Sequence, residues 1–340
     1  MLRDPCNRPI SNLRISVTQE CNQRCIYCHR EGEKGCTHGD LMTADEIGRV
    51  AGVAASLGIT KVKFTGGEPL MRKDLPEIIG RVSPLFKDVS LTTNGTLLAG
   101  LAPKLKAAGL NRVNVSLDSV NPQTYTRITG TLGLEDAIDG VRSAARAGLT
   151  PVKLNMVVIQ GINETDIPEM MRFAAAEGAV LQLIELEAPK GALSNEWYCS
   201  HHADLMNVEA ELGSRAIKME TRRMHHRRKY LVPVQTYLMV NVNGKKHSQG
   251  RAVEVEIVRP VHNSEFCANC NRLRLSSDGR LVPCLFRGDR GVDIRGPLRK
   301  GATDEEIVGL FKEVVSRRAL YWSGGTLPVV DKGKELGTCP

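Results

Sequence analysis

Residues 12–186 repeat one unit: a short apolar strand, a turn, then an amphipathic helix. Strand-like runs fall at 13–17, 61–65, 89–92, 113–117, 152–158 and 180–186. Between them the apolar residues switch to helical spacing. Ile47, Val50, Ala54 and Leu57 make one such face; Leu75, Ile78, Ile79 and Val82 make another. The next three are Leu97, Leu101, Leu105 and Ala108; Leu134, Ile138, Val141 and Ala145; and Ile167, Met170, Met171 and Ala174. Thr43 with Glu46 has the form of a capping box, and Gly58, Gly109, Gly148 and Gly178 each suit a left-handed helix end. Such alternation predicts an α/β fold with a parallel sheet and right-handed crossovers. Six units fit an open, partial TIM-like (β/α)6 barrel, which puts chemistry at the C-terminal strand ends.

After residue 187 the pattern changes. Residues 187–229 show little periodicity and end in a basic run at 222–229. From Tyr230 the sequence reads as β, with an Asn243-Gly244 turn and the alternation Val253, Val255, Ile257. Thr303 with Glu306 opens a late helix carrying Ile307, Leu310, Phe311 and Val314. The expected division is a barrel domain over 1–225, a smaller mixed α+β region over 226–325 and an extension over 326–340.

Composition narrows the class. A net charge of +8 on 340 residues is ordinary for a globular chain, and no apolar run is long enough to span a membrane. The first residues hold no apolar core of a signal peptide, so a cytoplasmic location without membrane contact is expected. Ten cysteines, mostly clustered, then point to metal rather than disulfides. Cys6, Cys36, Cys199 and Cys339 have no partner spacing and read as free thiols.

The first cluster follows the first strand as Cys21-x3-Cys25-x2-Cys28. Three thiolates on one loop can hold three corners of a [4Fe–4S] cube and leave one iron open. Zinc completed by His29 is the alternative, since structural zinc takes four protein ligands. With Tyr27 inside the triplet and Gly66-Gly67-Glu68-Pro69 ending the second strand, the chain resembles the radical S-adenosylmethionine (SAM) enzymes. A second triplet, Cys267-x2-Cys270-x13-Cys284, encloses an Asp278-Gly279 turn that would fold Cys284 back towards Cys270. A zinc site completed by His262 or a second open cluster would both use it.

Two such triplets, with Cys270-Asn-Arg-Leu-Arg274 beside the second, resemble the GTP 3′,8-cyclases of molybdenum cofactor biosynthesis, and His29-Arg-Glu-Gly32 after the first triplet resembles the archaeal members. The likeness includes the strand of Arg14, Thr92-Thr-Asn-Gly95, the strand of Ser116, and Lys153 with its neighbours. It implies two [4Fe–4S] clusters and SAM. Cys21, Cys25 and Cys28 would hold the SAM cluster; Cys267, Cys270 and Cys284 would hold the other. Tyr27, Gly67 and Ser116 would contact SAM. Arg14, Lys63, Thr92, Lys153, Arg272, Leu273 and Arg274 would surround GTP, with Arg272 and Arg274 as the catalytic pair. Independently, a strand-borne Lys or Arg is rarely core unless paired, and several together favour an anion site.

The implied reaction is abstraction of the ribose H3′ by a 5′-deoxyadenosyl radical. Attack on guanine C8 then gives (8S)-3′,8-cyclo-7,8-dihydroguanosine 5′-triphosphate. The resemblance also implies a low-potential electron donor and a downstream cyclic pyranopterin monophosphate synthase, and it leaves a homodimer open. Two positions depart from the family: Glu187 stands where Met is common, and fifteen residues follow the Gly324-Gly325 pair. Another nucleotide or RNA as substrate is the enzymatic alternative, and a zinc-stabilised nucleic-acid binder the non-enzymatic one.

Overall fold

The computed structural model describes residues 1–29, 41–187, 195–221, 227–242, 245–261, 263–286 and 291–319. The six expected strands form as β1 (Asn12–Ser16), β2 (Lys61–Thr65), β3 (Asp88–Thr93), β4 (Arg112–Ser116), β5 (Lys153–Val158) and β6 (Val180–Glu185). Each pairs in parallel with the next. They are joined by α1 (Ala44–Ser56), α2 (Leu75–Val82), α3 (Leu98–Ala107), α4 (Pro122–Thr129), α5 (Leu134–Arg146) and α6 (Ile167–Ala176). The capping box at Thr43 and Glu46 is present, and Gly58, Gly109, Gly148 and Gly178 all take positive φ.

One face of each strand packs against the helices. Leu13, Ile15, Val62, Phe64, Val113, Leu154 and Leu183 are buried there, each stabilising the fold by roughly 1.5–3 kcal/mol. The alternate positions face a polar lumen.

Three local features depart from the sequence pattern. The third helix begins at Leu98, so its buried face is Leu98, Ala102 and Leu105, and Leu97 is exposed. The α4 helix was not visible as a separate unit; Asn121 caps it by accepting from the amides of Gln123 and Thr124. Residues 187–229 are also more regular than their weak periodicity suggests. They contain α7 (Glu196–His201), α8 (Met206–Arg215) and β7 (Lys218–Thr221), short elements with little apolar face to read.

The C-terminal part continues with β8 (Arg228–Val242), β9 (Lys245–Val258), α9 (Ser264–Ala268), β10 (Arg272–Leu275), β11 (Arg280–Val282), β12 (Val292–Asp293), α10 (Arg295–Arg299) and α11 (Asp304–Ser316). These strands extend both edges of the six. The full order is β12-β11-β10-β1-β2-β3-β4-β5-β6-β9-β8-β7, with β10 parallel to β1 and β9 parallel to β6. The Asp278-Gly279 hairpin forms between β10 and β11, with Gly279 at φ 81. The Asn243-Gly244 turn, Cys36, His262, the Gly324-Gly325 pair and residues 326–340 lie outside the described residues.

Candidate active site

Strand register decides which polar side chains share the lumen. Arg14 on β1 lies opposite Lys63 on one side and Arg274 on the other; Thr92 lies opposite Asn114, and Asn114 opposite Lys153. A cavity of about 200 Å3 opens there, lined by Arg14, Lys63, Thr92, Arg272, Arg274 and Arg227 together with Tyr27, His29 and Glu187. Arg227 belongs to the basic run, of which residues 222–226 are not described. Burial pushes the Lys63 ammonium well below its ordinary range, and the nearby Arg14, Arg112, Arg272 and Arg227 push it further. Burial, with Arg274, lowers the Arg272 guanidinium to about 10. Positive charge is therefore concentrated in a low-dielectric chamber, where a polyanion would relieve it.

Two expected contacts stand apart from this lining. Lys153 is on the lumen face, but its Nζ lies 2.6 Å from Glu256 Oε1, with both side chains buried. Leu273 is fully buried on β10, between Arg272 and Arg274, and does not line the cavity.

The first thiol triplet sits at the C-terminal end of β1. Its loop is pinned to α4, with the Arg24 amide donating to Thr129 O and the Ile26 amide to Ile128 O. Burial raises the Cys25 thiol far above its usual range, and Asp118, Cys28 and Cys21 raise it further. Three soft donors that oppose one another's ionisation suit a polynuclear cation, which would stabilise all three thiolates at once. No three His, Cys, Asp or Glu side chains among the described residues converge as ligands of a single ion would. His29 lines the cavity.

The glycine pair ending β2 lies flat against the loop leading into Cys21. The Gly67 amide donates to Thr18 O and the Glu68 amide to Glu20 O. A Cβ on Gly67 would stand 2.3 Å from Glu20 O, and one on Gly66 2.4 Å from Thr18 O. Both positions therefore require glycine for backbone approach. Glu68, which follows the glycine pair, is fully buried and accepts from the Thr93 hydroxyl and the Asn94 amide, both at 2.7 Å. Burial raises its carboxyl to about 7.

Ser116 ends β4 on the same side. Asp118 is buried and accepts from the Tyr27 hydroxyl at 2.7 Å and the Val157 amide at 2.8 Å. Burial lifts its carboxyl to about 6. Tyr27 is thereby fixed between the triplet and the cavity.

Cys267, Cys270 and Cys284 line a second cavity of about 70 Å3, beside Arg272 and Arg274. The β10–β11 hairpin returns Cys284 as its spacing predicts. Behind them lies a buried network that sequence gave no sign of. Asp4 Oδ2 takes Arg8 Nε at 2.7 Å and Arg318 Nε at 3.0 Å. Arg8 donates to Cys267 O and Arg318 to Cys270 O and Pro283 O. Burial raises the Cys270 thiol, but Arg318 and Arg272 outweigh it and hold it below its ordinary range.

The remaining candidates have structural partners. His202 Nε2 lies 3.1 Å from Glu185, and His201 stacks on Trp197. Cys6 carries a free thiol, but Cys199 is disulfide-bonded, which corrects its reading as a free thiol.

Two family profiles match the chain: the Radical SAM superfamily over residues 15–174 and Molybdenum Cofactor Synthesis C over 179–323. A probable GTP 3′,8-cyclase of Pyrococcus horikoshii is 47% identical over 326 residues, covering 96% of this chain and all of that protein. One from Methanosarcina mazei is 46% identical, covering 95% of this chain and 90% of its own. Among solved structures, Streptococcus suis SuiB bound to its precursor peptide superposes at TM-score 0.58 and 14% identity over 90% of this chain and 67% of SuiB. SuiB bound to S-adenosylmethionine gives 0.55 at 14% identity over 82% of this chain, which spans 60% of that protein. These structures share the fold.

Proposed function

The chain belongs to the GTP 3′,8-cyclase family of the radical SAM superfamily and works with SAM and a [4Fe–4S] cluster, and on that premise we propose how its own residues divide the reaction. The substrate is GTP and the product (8S)-3′,8-cyclo-7,8-dihydroguanosine 5′-triphosphate, an early intermediate of molybdenum cofactor biosynthesis. One observation carries the assignment: a chamber of buried cations lying between two thiol triplets.

Cys21, Cys25 and Cys28 hold the first cluster. When bound, that cluster and SAM supply reductive cleavage and hydrogen-atom abstraction. Tyr27, Gly67 and Ser116 form the SAM side, with Tyr27 held by Asp118 and Gly67 held against the Cys21 loop. Cys267, Cys270 and Cys284 hold a second [4Fe–4S] cluster. The Arg8–Asp4–Arg318 network supports this reading. Two guanidiniums and one carboxylate leave a net positive charge buried behind the thiols, opposite in sign to a cube bound by three thiolates.

Arg14, Lys63 and Thr92 take the triphosphate end, with Lys153 beneath them; Arg272, Arg274 and the Leu273 backbone orient the purine. The enclosed lumen keeps water from a reactive substrate carbon. In this division residues 1–225 serve SAM and residues 226–325 the purine. A low-potential donor, a downstream synthase for the unstable product and a cytoplasmic location complete the reading. No helix among the described residues is long and apolar enough to cross a membrane.

The test is an anaerobic reaction of reconstituted protein with SAM, dithionite and GTP, beside an ATP control, analysed by mass spectrometry. 5′-Deoxyadenosine and a GTP-derived cyclic product should appear with GTP alone. 5′-Deoxyadenosine with every nucleotide and unchanged GTP would overturn the substrate assignment and leave the SAM assignment standing.

A further inference from the structure

Across β4, β5, β6 and β9, the lumen floor carries Asn114, Asn155, Gln182 and Glu256. Gln182 and Glu256 are register partners, as are Asn155 and Gln182. Asn114, Gln182 and Glu256 are all buried, at 3%, 3% and 0% exposure. Their hydrogen bonds have only one consistent direction. Glu256 is held ionised by Lys153 at 2.6 Å, with Arg227 Nη1 3.7 Å from its other oxygen. A carboxylate only accepts, so Gln182 must turn Nε2 towards it. Gln182 Oε1 then faces Asn114 and accepts from Asn114 Nδ2 at 3.2 Å. The same Nδ2 lies 3.2 Å from Asn155 Oδ1. The Asn114 amide is thus fixed, and its Oδ1 is a buried acceptor that receives no hydrogen bond among the described residues.

A buried acceptor without a donor costs free energy, and this one belongs to a residue lining the cavity. The cations around it can serve only the acceptor atoms of a ligand: phosphate oxygens and the acceptor edge of a purine. Asn114 is the complementary group, and it needs an O–H or N–H from the ligand. It sits on β4, four strands round the sheet from the arginines of β10, and two residues before Ser116 on the SAM side. The base donors therefore lie across the lumen. We propose that Asn114 Oδ1 accepts from a ribose hydroxyl of the substrate, and that Glu256, acting through Gln182, is the positioning residue that fixes this polarity. The inference rests on GTP being the substrate.

The test is equilibrium binding, by anaerobic calorimetry on reconstituted protein, of GTP, 2′-deoxyGTP and 3′-deoxyGTP. One hydrogen bond should favour GTP over one of the two deoxy forms by about 3- to 10-fold, and the two arms identify which hydroxyl is read. Asn114→Leu should bring that ratio close to one by weakening GTP while leaving the deoxy form unchanged. Glu256→Gln should also shrink the ratio, since an amide can turn Gln182 either way. Release of Lys153 in that variant moves all three affinities together and cancels in the ratio. If Asn114→Leu fails to load its clusters, Asn114→Ser is measured in the same way. A wild-type protein that binds GTP and both deoxy forms alike, or an Asn114 variant that keeps the wild-type ratio, overturns the inference and leaves the substrate intact. A wild-type protein that binds no GTP removes the substrate reading itself.

Discussion

Replacing Arg318 by Met tests whether the second thiol triplet is built on a buried charge network. Arg318 is 4% exposed and its partner Asp4 is fully buried. One guanidinium donates to Asp4 Oδ2 at 3.0 Å, Cys270 O at 2.8 Å, Pro283 O at 2.9 Å and Arg272 O. Methionine restores much of the apolar stem but leaves three carbonyls without that donor and Asp4 without its second guanidinium. Bonds to a charged donor contribute about 1.5–3 kcal/mol each, but four sharing one head do not add. The cost of breaking a buried pair, about 3–5 kcal/mol, is the better guide. An unfolding entropy of roughly 2.1 cal/mol/K per residue gives about 0.7 kcal/mol/K for a chain of this length. The melting temperature should therefore fall by about 4–7 °C. Anaerobic calorimetry with iron and sulfide analysis measures both consequences: a lower transition, and loss of iron from the second triplet while the Cys21 site stays loaded. Arg318→Lys keeps the charge without the fork and should fall between the two. A Met variant that melts within about 1 °C of wild type with its full iron complement would refute the reasoning.

Gly67→Ala would force a Cβ to 2.3 Å from Glu20 O, so SAM binding by calorimetry should be lost or fall at least tenfold, while Gly52→Ala, with nothing within 4 Å, should leave it unchanged. Lys153→Met and Glu256→Gln should each destabilise by about 3–5 kcal/mol in anaerobic urea unfolding, and the double variant by clearly less than their sum; strict additivity would deny the buried pair. Glu46 bonds Arg299 and caps α1. Burial raises its carboxyl, but these partners outweigh that and hold it below its ordinary value. Its contribution is thus present above the unfolded pKa and lost as pH falls through the folded one. Glu46→Gln should cost about 1 kcal/mol near pH 7 and converge with wild type only once pH has fallen below the lowered folded value; a gap that persists in stronger acid would contradict this.

Much of the fold was legible because its signals are local. A period of two for strands, a helical period between them, a capping box and glycines at helix ends need only neighbours in sequence, and all six barrel strands formed within a residue or two of their expected spans. The third helix was misphased because Leu97 and Leu98 are equally apolar and only the turn after β3 decides which one is buried. The residues 187–229 were opaque because short helices with mixed faces leave no period to count.

The site divides in the same way. Both thiol triplets, the glycine pair and the strand-borne cations were readable, since thiolate spacing and cations inside strands are unusual for any bland reason. What no spacing could give was the company each side chain keeps. Lys153 looked like one more cation for a polyanion until β9 brought Glu256 to 2.6 Å from it across more than a hundred residues. Nothing in its neighbours gives Asp118 a partner; the Cys21–Cys28 loop lays the Tyr27 hydroxyl on it. Asp4 and Arg8, in an unremarked N-terminal segment, joined Arg318 behind the second triplet. Sequence by itself determined the chemistry available and the strands that carry it. The sheet order, with β10 against β1 and β9 against β6, decided which charges meet, because electrostatic and hydrogen-bond energies depend on a few ångströms that only tertiary packing sets.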